Sequence, residues 1–183
     1  MKLYKYIKEA KKMEKTLIAF DVDGSTLRGV QNEISKYLTN ADIKHQVLTG
    51  NPHISVAQII SPIEKDKLNR IIQDIKIQVR FKPKELVKLY GSITGKDFIA
   101  IEYKSNQKYK DIFSDIYSEI PNSIRTFPGG MRPHVSLITL EKDVLSKGLL
   151  SEIEERVKLP KIIVKSISLF NKKHKVQFSR RIK

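Results

Sequence analysis

Two pentapeptides of nearly the same make-up, Pro52-His53-Ile54-Ser55-Val56 and Pro133-His134-Val135-Ser136-Leu137, lie about eighty residues apart in a chain of 183. A β-strand sends successive side chains to opposite faces. In each copy His and Ser therefore share one face, while Ile54 and Val56, or Val135 and Leu137, enter the other. A proline suits the first residue of a strand, where its missing N–H leaves no ladder bond unmade. The pattern predicts two strands, each buried on one side and presenting an imidazole beside a hydroxyl on the other. A single copy reads as a packed His satisfied by a neighbouring Ser. Two copies that match at His, Ser, the flanking apolar positions and the proline are poorly explained that way.

The rest of the chain supplies the frame for such strands. Apolar residues recur at helical spacing in four places: Leu27, Val30, Ile34 and Leu38; Leu68, Ile71, Ile72 and Ile75; Tyr109, Ile112, Phe113 and Ile116; Leu145, Leu149, Ile153 and Val157. Each set predicts an amphipathic helix. Strand-like runs fall at 16–22, 43–49, 53–60, 85–94, 98–103, 134–140, 161–170 and 176–178, and the Gly95-Lys96 step predicts a hairpin turn. The order is mixed α+β, with helices laid against sheets rather than a strict βαβ succession. No Pro/Gly/Ser-rich linker divides residues 16–183, which read as one domain. Residues 1–15, MKLYKYIKEAKKMEK, form a basic extension to it.

Composition narrows the functional classes. The chain has no cysteine, which excludes disulfide scaffolds, thiolate zinc sites and cysteine nucleophiles and fits a reduced cytoplasm. No segment approaches the roughly 20 apolar residues that span a bilayer, so a soluble, cytoplasmic protein without a membrane partner is expected. Thirty-five Lys and Arg against 20 Asp and Glu give a formal charge of +15. Such an excess attracts phosphate-bearing partners. A chain rich in Lys and Ile is also what AT-rich coding sequence produces, as in a phage or an AT-rich bacterium. The paired motifs make the expectation local: part of the positive charge should gather around His53 and His134.

The residue types in the motifs define a chemistry. Cleaving a phosphodiester needs a base to take the nucleophile's proton and an acid to protonate the departing oxygen. Imidazole titrates near neutrality, so one His can be neutral while the other is protonated. The serine hydroxyls can donate to nonbridging phosphate oxygens and hold the group in line. Neither Ser is expected to be a nucleophile, because each lies beside its own His on the same strand.

Two HxS motifs on strands, at this separation and in a chain of this length, resemble the 2H phosphoesterase superfamily. That group includes 2′,3′-cyclic nucleotide phosphodiesterases, proteins first described as 2′-5′ RNA ligases, RNA-end-trimming exonucleases and phage hydrolases of cyclic oligonucleotide signals. The resemblance extends from Thr16 to the last strands. It implies a bilobal α+β fold with pseudo-twofold symmetry, antiparallel sheets lining a central cleft with helices outside, a motif strand from each lobe beside that cleft, and no metal or other cofactor. His53, Ser55, His134 and Ser136 match its catalytic positions. Arg132, two residues before His134, is the nearest cation by sequence for holding phosphate charge, and Tyr90 and Phe20 are candidates to stack a base. A nucleotide or RNA is the expected partner. RNA with a cyclic end, a 2′-5′ oligonucleotide and a cyclic oligonucleotide all suit the same four residues.

Other readings compete. Phe20-Asp21-Val22-Asp23-Gly24-Ser25-Thr26-Leu27 resembles the first motif of haloacid-dehalogenase-like phosphatases, in which Asp21 and Asp23 would serve a magnesium-dependent phosphoryl transfer. The match is inexact at Ser25 and Thr26, and an Asp-Gly turn with Asp23 or Ser25 capping a helix explains the same residues. A non-catalytic RNA-binding protein would use the basic surface but leaves the repeated motif unexplained. His45 and His174 read as structural or solvated. A metal held by His45 and His53 lacks a carboxylate partner nearby.

Overall fold

The apolar run that opens the domain forms β1 (Thr16–Asp21), and it ends where Asp23 takes the N-cap of α1 (Gly24–Asn40). The Asp23 carboxylate accepts the Ser25 amide at 2.9 Å, satisfying one of the donors a helix leaves open at its start. That bond holds the Asp23 carboxyl below the usual range. There follow β2 (His45–Val47), β3 (His53–Ile59), α2 (Lys65–Asp74), β4 (Val79–Phe81), β5 (Pro83–Gly91) and β6 (Lys96–Tyr103). The chain continues through α3 (Gln107–Glu119), β7 (His134–Leu140), α4 (Lys147–Glu154), β8 (Ile162–Val164), β9 (Ser166–Phe170) and β10 (Val176–Arg181). Asn106 and Ser146 cap α3 and α4 through their side chains. This computed structural model describes residues 16–76, 78–91, 94–125, 132–171 and 175–182.

Among the described residues the strands form two four-stranded sheets, in the orders β10-β9-β1-β3 and β2-β7-β6-β5, and a two-stranded ribbon of β4 and β8. All named pairs are antiparallel. The two motif strands are paired in the same way. In β1 and β3, Asp21 stands opposite His53, Ala19 opposite Ser55 and Ile18 opposite Ala57. In β6 and β7, Glu102 stands opposite His134, Ala100 opposite Ser136 and Ile99 opposite Ile138. Every residue of the second set lies 81 positions after its counterpart in the first. The register shifts at the same step, leaving Val56 and Leu137 as the extra residues of two equivalent bulges. The Val22 amide donates to the Pro52 carbonyl at 3.0 Å, and the Tyr103 amide to the Pro133 carbonyl at 2.8 Å, so the ends of both pairs close alike.

Helices tie the halves together. α1 packs on β2 and β7, and α3 packs on β3, so each helix following one half's first strand covers the other half's motif strand. The Gln31 amide on α1 donates to the Leu137 carbonyl at 3.3 Å and to the Leu48 carbonyl at 2.9 Å. On α3, the Tyr109 hydroxyl donates to the Ser55 carbonyl at 2.9 Å. A bulge disturbs the ladder just where these side chains reach the backbone, and they supply partners there. The core runs through both halves. Phe20, Phe81, Tyr103 and Tyr109 meet with ring centroids 5.7 to 6.4 Å apart, and burial pushes the Tyr109 phenol well above its ordinary range.

The α+β class and the four helices agree with the sequence reading, with differences at element ends. Leu145 and Val157 fall outside α4, whose start is set by the Ser146 cap. The 161–170 run divides into β8 and β9, which pair in different sheets. β4, three residues long, has no sequence pattern of its own and exists through its pairing with β8. The expected hairpin turn is present at Gly95, whose φ of 68° is one that glycine adopts without strain and whose amide donates to the Gly91 carbonyl. The basic extension at 1–15 lies outside the described residues. Among the described residues no helix is long and apolar enough to cross a membrane.

One buried ion pair supports the β5–β6 end of the second sheet. Asp97 is 1% exposed and accepts the Lys88 ammonium and the Asp143 amide, each at 2.8 Å. Burial alone would raise its carboxyl pKa, but the bonds to Lys88 and Asp143 outweigh it and hold the group below its ordinary 3.8. A carboxyl depressed on folding contributes stability above its unfolded pKa and loses it as pH falls through the folded one. Asp97→Asn is therefore expected to lower stability by about 1–3 kcal/mol at neutral pH, and the gap should narrow as pH falls below 3.8 and through the depressed folded-state pKa. Tm measured against pH checks this; an equal gap at all pH values would contradict it.

Candidate active site

His53 and His134 each open a motif strand, and each ring is fixed by its own backbone. Nδ1 of His53 bonds the Asn51 carbonyl at 3.0 Å, and Nδ1 of His134 bonds the Arg132 carbonyl at 2.9 Å. A carbonyl only accepts, so Nδ1 is the donor in both. In the neutral ring the lone pair then lies on Nε2. His53, Ser55, His134 and Ser136 are all half-buried, while Ile54, Val56, Val135 and Leu137 on the opposite faces are fully buried. The alternation read from the sequence is thus present in both strands. β3, which carries the first motif, lies against β7, which carries the second.

The pairing register adds neighbours on the same face. Ala19 and Ala100, opposite the two serines, place no bulk beside the hydroxyls. Asp21, opposite His53, accepts the Ser168 hydroxyl at 2.7 Å and the Ser179 hydroxyl at 3.3 Å on one carboxylate oxygen. Glu102, opposite His134, binds the Lys84 ammonium at 2.9 Å and the Arg132 guanidinium at 3.3 Å. Burial would raise the pKa of the Glu102 carboxyl, but the Lys84 and Arg132 cations outweigh it and hold the group below its ordinary range. The His53 ring lies 5.0 Å, centroid to centroid, from the fully buried Phe170 ring.

Other residues singled out by the sequence fall elsewhere. Phe20 is fully buried in the core and has no exposed ring face to offer a base. Tyr90 is exposed but pairs with Asp97, which pairs with Leu140 at the far end of β7 from His134. Six residues of strand, about 20 Å, separate that level from the motif. Neither aromatic is brought to the histidines. Both nitrogens of His45 are engaged, Nδ1 with the Ile43 carbonyl at 2.8 Å and Nε2 with the Ser35 hydroxyl at 2.7 Å, so it pins β2 to α1. His174 lies outside the described residues. Asp23 is a helix cap and Asp21 is held by two serines, and among the described residues no three His, Asp or Glu side chains cluster as metal ligands would. Lys84 and Arg132, the cations bonded to Glu102, form one ion-pair cluster with Glu85 and Glu102. A groove of about 650 Å³ lies between α2 and α3, walled by Ile71, Ile75, Ile112 and Ile116, and no motif residue lines it.

Glu102, Lys84, Ser168, Ser179 and Phe170 are not among the site residues that the sequence suggests, and Asp21 enters there only through the phosphatase-like motif. Two of them carried a signal. Ile18-Ala19-Phe20-Asp21 and Ile99-Ala100-Ile101-Glu102 repeat at the spacing of the histidine motifs, and aligning the two halves would have placed both carboxylates opposite the histidines.

Known structures share this fold. No family model matches the sequence and no curated protein matches it significantly. Usb1 from Kluyveromyces marxianus is similar in structure at a TM-score of 0.61 and 15% identity, over 92% of this chain and 96% of that one. TT0787 of Thermus thermophilus is similar at 0.61 and 9% identity, over 93% and 98%. LigT from E. coli, complexed with 3′-AMP, is similar at 0.52 and 10% identity, over 91% and 92%. All three are 2H phosphoesterase superfamily members, and the chain has the fold of that superfamily. At these identities the likeness is one of fold.

The ring bonds give a direct test of the site. Nitrogen-15 NMR of the side chains should show both His53 and His134 as Nδ1–H tautomers when neutral. An Nε2–H tautomer at either would contradict the geometry.

Proposed function

We propose that the chain is a phosphodiesterase that cleaves a nucleotide phosphodiester by two-histidine acid–base catalysis, with no metal or other cofactor required. The observation that carries this reading is the repeated half-site: on two equivalent strands a carbonyl holds Nδ1, Nε2 carries the lone pair that can exchange a proton, and a serine hydroxyl stands on the same face. A phosphate between the strands meets a base, an acid and two hydroxyl donors. With a 2′,3′-cyclic phosphate, one imidazole takes a proton from water as its oxygen bonds to phosphorus. The P–O bond to one ribose oxygen breaks, and the other, protonated imidazole delivers its proton to that oxygen. With an internal RNA linkage the neighbouring 2′-hydroxyl replaces water as nucleophile. Ser55 and Ser136 donate to nonbridging oxygens, where charge builds in the transition state. Arg132, exposed beside His134, is the cation proposed to hold phosphate charge.

A nucleotide substrate is supported by the similar structures, since Usb1 was determined with uridine monophosphate and LigT with 3′-AMP. RNA with a 2′,3′-cyclic phosphate end, a 2′-5′ oligonucleotide and a cyclic oligonucleotide are the substrates to compare, and a site in the cytoplasm of a phage-infected or AT-rich bacterial cell fits them.

Turnover of this panel in EDTA, read by the position of phosphate in the product, tests the proposal. Hydrolysis of at least one substrate should persist in EDTA. His53→Ala and His134→Ala should each lower kcat by about 10² to 10⁴-fold, and Ser55→Ala or Ser136→Ala by up to about 10²-fold. Undiminished hydrolysis in both histidine variants would contradict the assignment.

A further inference from the structure

The two halves share a register but not a charge pattern. Asn51 and Arg132 are equivalent, 81 residues apart, and each lends its carbonyl to the Nδ1 of a motif histidine. Their side chains differ: Asn51 is neutral, and Arg132 is a cation bonded to Glu102. The carboxylates opposite the histidines differ correspondingly, since Asp21 is held by serine hydroxyls and Glu102 by Lys84 and Arg132.

We propose that Glu102 is a positioning residue that fixes Arg132 beside His134, so that the second half carries a cationic anchor for the substrate's phosphate charge where the equivalent position of the first half is the uncharged Asn51. The proposal rests on the phosphodiesterase reading above. The Arg132 side chain is 75% exposed, and its bond to Glu102 through Nη1 leaves most of its five N–H donors facing outward. A guanidinium held in place before binding loses less freedom when it takes a phosphate oxygen. Glu102 can hold it because its own carboxylate is 7% exposed and tied to Lys84. Arg132 thus touches both members of one cross-strand pair, Glu102 through its side chain and His134 through its carbonyl. In the first half the equivalent place presents Asn51 and the serine-bound Asp21, groups suited to hydroxyls rather than to phosphate charge. The expected consequence is a single binding direction, with phosphate charge toward β6 and β7 and a ribose toward β1 and β3.

Binding of adenosine 3′-monophosphate, measured by titration calorimetry, tests this in wild type, Glu102→Gln, Arg132→Ala and the double variant. Arg132→Ala should weaken binding about tenfold, the worth of one charge-assisted contact. Glu102→Gln should weaken it by about three- to tenfold, and the double variant should bind no more weakly than Arg132→Ala alone, because Glu102 acts through Arg132. A purely structural role for Glu102 would leave its loss undiminished in the Arg132→Ala background, and that result overturns the proposal. So does wild-type affinity in Glu102→Gln, or no binding by the wild type. If Glu102→Gln does not fold, Glu102→Asp substitutes for it: the shorter side chain places in the second half the residue type the first half carries, and the same loss is expected. Because the readout is binding, failure of the phosphodiesterase reading, seen as no turnover of any substrate, is separate from failure of the anchor.

Discussion

The register shared by the β1–β3 and β6–β7 pairs holds the site together. Side chains on a strand alternate faces, so a slip of one residue would send His53 and Ser55 toward the core and Ile54 and Val56 toward water. Burial of those apolar residues opposes such a slip in both halves. The bulges at Val56 and Leu137 then reset the alternation, so that Ala57 and Ile59, and Ile138 and Leu140, are also buried. The motif face is thereby confined to the start of each strand. Tyr109 and Gln31, reaching from the opposite half, bond the backbone where the ladder is disturbed. The same constraint sets the position of the carboxylates, because Asp21 and Glu102 stand opposite the histidines only in this register.

Within that common frame the halves diverge in chemistry. The first surrounds its carboxylate with hydroxyls and sets an aromatic ring against its histidine. The second ties its carboxylate to two cations, one of which also orients the histidine. A duplicated scaffold with identical half-sites would treat the two sides of a phosphodiester alike. A phosphodiester with a leaving ribose oxygen on one side and an attacking oxygen on the other is not symmetric, and unequal half-sites match that need.

The parts of this account that were legible in the sequence are those set by periodicity and by repetition. His53-x-Ser55 and His134-x-Ser136 carried the motif strands, and the helical stripes carried all four helices, because each pattern reports which side of an element is buried. Elements that depend on a distant partner were not legible: β4 exists by pairing with β8, and the 161–170 run breaks in two to serve different sheets. The place of Tyr90, far along the strands from His134, is set in the same way. Its distance from His134 is fixed by cross-strand register, which local composition does not report. The carboxylates fell between these cases, since their positions repeat with the motifs but their partners Lys84, Ser168 and Ser179 come from other strands.

The central claim is that His53 and His134, from separate halves, act on one phosphate. The most direct measurement is a titration of the wild-type protein with inorganic phosphate, following the imidazole Cε1–H signals of both residues by NMR. The account predicts that the two signals move together, with one dissociation constant and one phosphate bound per chain. Movement of one signal alone, or two independent affinities, would contradict it.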